Sequence, residues 1–245
     1  MTSVTVRRTS AGDVLSSLAE LLLPRACVGC GQHGTAWCLD CLAVEFDPVL
    51  HRPDPCPPGL PVLATSAVYA GSVRCAILAA KERDRRDLDR MLGALLATAA
   101  VQAISSDPWR PDRGGRLWLV PVPASPTALR ERGRDHVSDW THCALGYLRR
   151  ERINARQVPA LRRKLDGLDS VGLGAAQRAD NLRGAFSLGQ VSAPSPGTTI
   201  VVVDDIVTTG ATLVEASTCL ARHFDLRPEW LRAAVVGATA RHRAA

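Results

Sequence analysis

An α/β fold is predicted, with a parallel sheet flanked by helices behind a small cysteine-rich module, and three observations predict it. Ile200–Val203 is a continuous β-branched run that suits a strand covered on both faces, and it leads through Asp204-Asp205 into a Thr/Gly loop that opens a helix. Leu117–Val122 (LWLVPV) is a second buried strand, again followed by a loop and a helical pattern. Cys27-x2-Cys30 and Cys38-x2-Cys41 stand apart from both, near the start of the chain. The 245 residues suit one α/β domain with a small appendage, and nearly half are apolar, enough for a sizeable core.

The first 24 residues begin with a basic patch and turn apolar. Asp13 and Glu20 interrupt the apolar stretch and no small-residue cleavage site comes after it, which argues against a signal peptide. Val14, Leu15, Leu18 and Leu22 fit a short amphipathic helix packed on the next part of the chain, and the expected location is cytoplasmic. No apolar run is long enough to span a bilayer, so no membrane insertion is expected. The cysteine pairs come next. Each Cys-x-x-Cys turns sharply enough to put two thiolates on one ion, and two such turns complete a tetrahedral site. Gly29, Gly31 and Gly34 supply the backbone freedom that so short a knuckle needs. A disulfide cluster is the rival; without a secretion signal, Zn2+ on Cys27, Cys30, Cys38 and Cys41 is the reading preferred. Four thiolates leave no open position for a catalytic water, so the site reads as structural. His33 lies between the pairs as an alternative ligand, or as an exposed loop residue. Cys56, in PCPPG, resembles the remnant of a further knuckle. The Pro-rich stretch Pro48–Pro61 marks the expected boundary between a module of residues 1–57 and a main domain of residues 58–245.

In the main domain, Ala67–Tyr69 reads as a short strand and Val73–Ile104 as mostly helical. The alternating run Lys81–Arg90 (KERDRRDLDR) reads as a solvated helix face laced by i,i+4 pairs. Asp107–Gly115 is a polar loop. After Leu117–Val122 come Pro123-Ala124-Ser125 and the basic turn Arg130-Glu131-Arg132-Gly133-Arg134, a natural pyrophosphate site beyond a central strand. Val137, Trp140, Ala144, Leu145 and Leu148 recur at helical spacing, which makes Trp140 a core residue. Cys75, Cys143 and Cys219 lie in similar apolar patterns and read as small core side chains. Arg162–Phe186 is long, irregular and basic, the character of a lid or of a plain surface hairpin. The strand ending in Asp204-Asp205 comes after it, then a helix through Leu213, Ala216, Leu220 and Phe224, then a last strand at Leu231–Ala238.

Residue chemistry supports two functional inferences. Asp204 and Asp205 fall near the carboxyl end of a buried strand, where open α/β sheets bind ligands. Thr208, Thr209, Gly210 and Thr212 form a loop and helix start whose free N–H groups favour an anion. Carboxylates beside a phosphate cradle suit a ribose 5-phosphate. The net charge of +6 comes from 28 arginines against 2 lysines. It permits nucleic-acid binding without arguing for it, and no stretch interleaves aromatic with basic residues as a single-strand stacking platform would.

Thr199–Thr212 (TIVVVDDIVTTGAT) resembles the phosphoribosyl diphosphate (PRPP) motif of the type I phosphoribosyltransferases. Pro24 before Cys27, the cysteine knuckle, the VPVP strand, Arg132-Gly133 and Arg178-x-x-Asn181-Leu-x-Gly-Ala-Phe186 extend the likeness to the competence-associated ComF (GntX-like) family. That resemblance implies a type I phosphoribosyltransferase-like sheet with an N-terminal zinc knuckle. It implies that Asp204 and Asp205 contact the ribose hydroxyls and that Val207, Thr208, Thr209, Gly210, Ala211 and Thr212 wrap the 5′-phosphate. Arg130, Arg132 and Arg134 become candidates for the pyrophosphate, Arg163 and Lys164 for the lid, and Mg2+ would accompany PRPP. Related sequences often carry a lysine after a segment like Tyr69–Arg74, which offers Lys81 a ligand-facing role. The chain departs from the family pattern at Arg134-Asp135, where Phe-Asn is usual, and at Leu165–Ser170, which lacks the usual Thr and Gln. The implied activity is transfer of a phosphoribosyl group to an unidentified acceptor, in DNA uptake or processing or in nucleotide metabolism. The alternatives are a non-catalytic accessory protein of natural transformation, binding single-stranded DNA and a helicase-like partner, and a PRPP-responsive regulator.

Overall fold

The computed structural model describes residues 26–105, 115–163, 184–226 and 231–239. In chain order these form α1 (Leu39–Glu45), β1 (Phe46–His51), β2 (Val62–Val68), α2 (Gly71–Glu82), a 3-10 turn (Arg86–Leu88), α3 (Asp89–Ile104) and β3 (Arg116–Pro121). Then come α4 (Pro126–Arg132), α5 (His136–Arg150), β4 (Ala155–Gln157), β5 (Leu161–Arg163), β6 (Phe186–Leu188), β7 (Thr198–Val207), α6 (Ala211–Phe224) and β8 (Leu231–Ala238). Six strands make one sheet in the order β1-β2-β8-β7-β3-β4. Every neighbouring pair is parallel except β1 with β2, so the sheet is a parallel core with one antiparallel edge. β5 and β6 form a separate antiparallel pair, Arg163 opposite Phe186, framing residues 164–183.

β7 lies at the centre because its side chains are apolar on both faces. Val201 and Val203 join the core under α2, α3 and α5, with Trp140, Leu92 and Leu96. Ile200 and Val202 join a second core against α6 and the β5–β6 pair, with Leu213, Leu220 and Phe186. Alternation along the strand thus builds a three-layer domain from one run of valines. Trp140 is fully buried, as its spacing predicts, and its indole N–H donates to Asp89 Oδ1 at 2.8 Å.

Three sequence expectations are adjusted. The helix expected over Val73–Ile104 is broken: α2 stops at Glu82, Asp84 takes a left-handed φ of 48°, and α3 starts afresh at Asp89. The charged run therefore does not form a continuous helical face. The pairs made within the run are local to the turn, Arg85 with Asp87 and Arg86 with Asp84, each at i,i+2 spacing. Second, the first strand of the main domain is longer than its sequence signal, running over Val62–Val68. Third, β1 pairs with β2, so residues 46–51, ahead of the expected boundary, belong to the main sheet. The Leu231–Ala238 strand is as expected. The expected N-terminal helix, the Asp107–Gly115 loop up to residue 114, Lys164, Arg178 and Asn181 lie outside the described residues. Among the described residues no helix is long and apolar enough to cross a membrane.

α3 and α5 pack closely enough to exclude a methyl group. A Cβ on Gly93 would lie 2.4 Å from Cys143 Cβ and 2.9 Å from the Trp140 carbonyl oxygen. Gly93→Ala is expected to destabilise the fold by about 1–3 kcal/mol by overpacking, outweighing the roughly 1 kcal/mol that helix propensity returns. A lower urea midpoint for the variant checks this.

Candidate functional site

The candidate site is built at the carboxyl end of β7. Asp204 and Asp205 sit within the strand, which continues to Val207, and α6 starts at Ala211. Thr208 and Thr209 are exposed in the connecting turn. Gly210 closes that turn with φ of 81°, and a Cβ there would also come within 3.0 Å of Leu60. Glycine is thus required both by its backbone angle and by the Pro-rich segment packed over it.

Adjacent residues of a strand point to opposite faces, and the two aspartates have different surroundings. Asp205 shares its face with Val203 and is 7% exposed. Its Oδ2 accepts from Lys81 Nζ at 2.5 Å and lies 3.0 Å from His136 Nε2, while Oδ1 accepts from the Ile206 amide at 2.6 Å. Burial pushes this carboxyl up, but the bonds and charges from His136 and Lys81 outweigh it and hold Asp205 well below the usual carboxylate range. Asp204 shares its face with Val202, and its Oδ1 accepts from the Asp205 amide at 2.9 Å. Burial and the negative charge of Asp205 raise Asp204 well above the ordinary value.

Lys81 reaches this site because of how α2 runs. Val68 pairs with Ala238, which also pairs with Val207, so β2, β8 and β7 end level with one another. α2 begins just after β2, yet its last turn brings Lys81 to Asp205, so both ends of α2 lie along the carboxyl edge of the sheet. The alternating charges around Lys81 suggest a solvated face; its place after the Tyr69–Arg74 segment is the signal that offered it a ligand-facing role. His136 gave no motif at all. It is the first residue of α5, behind the Asp135 cap whose carboxylate accepts from the Ser138 amide, and it packs edge-on to Trp140.

The basic turn divides. Arg130 is exposed near Thr127, and Arg132 pairs with Glu82 of α2 at 2.9 Å. Arg134 is buried and engaged by acids: both Asp89 oxygens at 2.8 Å, Asp139 at 2.9 Å and Asp84 at 3.4 Å. It ties the α2–α3 turn to α5, with its charge already matched. Arg163 ends β5 and lies over the Phe186 ring, and its buried Nε has no hydrogen-bond partner among the described residues.

A second centre lies against α2. The sulfur atoms of Cys27, Cys30, Cys38 and Cys41 are all within 4.8 Å of one another, with Cys27–Cys38 at 3.6 Å and Cys30–Cys38 at 3.8 Å. Zn–S bonds of about 2.3 Å place the corners of a regular tetrahedron about 3.8 Å apart, so the cluster fits zinc as it stands. Burial pushes the Cys27 thiol up, but the amides of Cys30, Cys38 and Gly29 outweigh it and lower it to about 6. Hydrogen bonding to Cys38, then burial, pushes Cys41 up to about 12. A lowered thiol on Cys27 beside a raised one on Cys41 is the pattern that a cation replacing shared protons would complete. His33 is exposed, and neither it nor Cys56 joins the cluster.

The cluster braces α2. Trp37, buried between the two cysteine pairs and the helix, donates its indole N–H to Ser72 Oγ at 3.1 Å. That hydroxyl lies 2.7 Å from the Cys41 carbonyl and 2.9 Å from Glu45 Oε2, sharing one proton between them. Just past the other end of α2, Arg85 donates to the Ala26 carbonyl at 3.3 Å. No protein-family model matches this chain, and no curated protein matches it.

The site's geometry carries expectations for metal content and for stability. The chain is expected to bind about one zinc, and Cys27→Ser or Cys41→Ser is expected to abolish it, read by metal analysis of purified protein. The aspartates carry opposite effects on stability. Asp205 has a depressed folded value, so its contribution is present above the unfolded value of about 4 and fades as pH falls through the folded one. Asp204 has a raised folded value, so stability falls as pH rises from the unfolded value through the folded one. At pH 7, Asp205→Asn is expected to destabilise by about 3 kcal/mol, since it strands Lys81, whereas Asp204→Asn is expected to raise the urea midpoint.

Proposed function

We propose that this chain is a PRPP-binding, phosphoribosyltransferase-like protein of the ComF type, serving DNA uptake or processing or nucleotide metabolism. The observation that carries the reading is the acidic pair of central β7 beside the Thr208–Gly210 turn at the start of α6, with a lysine brought in from α2. In this reading the acidic pair supplies the ribose-binding carboxylate. The Val207–Thr212 backbone and hydroxyls receive the 5′-phosphate, because the first N–H groups of α6 have no helical acceptors and the helix dipole favours an anion.

Arg130 and Arg132, at the end of α4, are the arginines nearest in role to a pyrophosphate grip; Arg132 would exchange its salt bridge to Glu82 for the ligand. Arg134 acts instead as a brace, since its charge is already balanced by Asp84, Asp89 and Asp139. Arg163, the last residue of β5, exerts its charge on Asp204 and would join the site from that side. Mg2+ bound with PRPP would offset the negative charge of the leaving pyrophosphate. The chain's own part is to orient the sugar, match charge and exclude water, which is positional and electrostatic catalysis of attack by a nitrogen nucleophile at C1. Zinc on the four cysteines serves structure.

Calorimetric titration of Mg–PRPP into the zinc-loaded protein tests this. Micromolar binding, weakened at least about tenfold in Asp204→Asn, is expected, a loss equivalent to one charge-assisted contact. Absence of binding to folded wild-type protein overturns the reading and favours the accessory one. Salt-sensitive binding of single-stranded DNA would then be the next property to measure.

A further inference from the structure

We propose that the two neighbouring aspartates have separate jobs: Asp204 is the single ligand-facing carboxylate, while Asp205 and His136 are positioning residues that hold the Lys81 ammonium in the site. This rests on the PRPP-binding reading and narrows it to individual atoms.

A carboxylate has two oxygens, and both of those on Asp205 are engaged within the protein. Oδ1 accepts from the Ile206 amide, and Oδ2 meets both Lys81 Nζ and His136 Nε2. Three of its roughly four acceptor positions are thus filled from within the protein, and a sugar hydroxyl finds at most one left on Asp205. The side chain is also turned toward α2 and α5, the face it shares with Val201 and Val203. Asp204 lies on the other face. Among the described residues its one hydrogen bond is from the Asp205 amide to Oδ1, which leaves Oδ2 to accept from a ligand hydroxyl. Arg163, with its unpartnered Nε, exerts its charge on Asp204.

His136 makes the arrangement specific. It is 4% exposed, and its Nδ1 is buried without a partner. Nε2 faces a carboxylate oxygen, so that nitrogen carries a proton, and the ring packs edge-on to Trp140. With Nε2 donating from one side, Asp205 Oδ2 is pinned, and Lys81 is drawn to the same oxygen. Lys81 thereby sits on α2 with its ammonium at the carboxyl end of β7, where its charge also acts on Asp204 and would attract an anionic ester. A lysine carries the phosphate interaction as a point charge, so its placement matters more than the orientation of its hydrogens.

The test compares the full-length, zinc-loaded wild type with His136→Ala, His136→Gln and Asp204→Asn. Mg–PRPP is titrated into each, and a 15N histidine spectrum of the wild type is recorded without ligand. Gln can place an amide donor near the imidazole Nε2 position, whereas Ala offers none. The expected result is a roughly tenfold loss of affinity in His136→Ala, recovery to within about threefold in His136→Gln, and a loss in Asp204→Asn that leaves the His136 signals in place. The wild-type spectrum is expected to show a proton on Nε2. Wild-type-like affinity in His136→Ala, failure of Gln to rescue a folded protein, or an Nδ1–H tautomer overturns the division of labour while leaving PRPP binding intact. If His136→Ala does not fold, the wild-type tautomer and the Gln variant still decide. Absence of PRPP binding by the wild type overturns the functional reading and, with it, Asp204's role.

Discussion

The ion pair between Lys81 and Asp205 is the interaction on which the candidate site depends, because it fixes where α2 ends relative to β7. α2 runs along the carboxyl edge of the sheet and is tied at both ends. At its start Ser72 receives the Trp37 indole and meets the Cys41 carbonyl and the Glu45 carboxylate. At its end Lys81 meets Asp205, Glu82 meets Arg132, and Arg85 beyond it reaches the Ala26 carbonyl. The cysteine cluster and the acidic pair are therefore two ends of one mechanical unit. Zinc on the cluster would order the short knuckle that holds Trp37 in place, and so would act on the site without touching a ligand.

The α3–α5 contact gives this unit a rigid backing. Arg134 is held bidentately by Asp89, which also receives the Trp140 indole, and Gly93 lets the two helices meet at van der Waals distance. Burying that many charges is tolerable only because each is matched. The same matching explains why a basic turn that looks in sequence like one uniform anion grip has a split function. Arg130 faces outward, Arg132 bridges to α2, and Arg134 is spent on structure.

Features governed by local pattern were legible in the sequence. The valines of β7, the LWLV strand and the Leu231–Ala238 strand are continuous apolar runs, and the structure makes them the parallel core. The two Cys-x-x-Cys turns come together as their spacing suggests. Features governed by tertiary partners were not. The segment Tyr69–Arg74 offered Lys81 a ligand-facing role, but nothing in the alternating charged run pairs it with Asp205, 124 residues away. The break at Asp84 was hidden by residues that are all acceptable helix formers; the Arg134 clamp and the pull of Asp205 on Lys81 sit on either side of it. His136 carried no signal, because a lone histidine after a capping aspartate has no spacing to read. Edge strand β1 was missed because Pro48 interrupts it and its burial pattern is mostly exposed.

The most direct test of the central claim is amide hydrogen exchange with and without a zinc chelator. The account predicts that chelation lowers protection across Gly71–Glu82 and at Asp205 and Ile206, while β3 and α6 keep theirs. Unchanged protection of α2 in metal-free protein would contradict it, because the cysteine cluster would then be an independent appendage with no hold on the site.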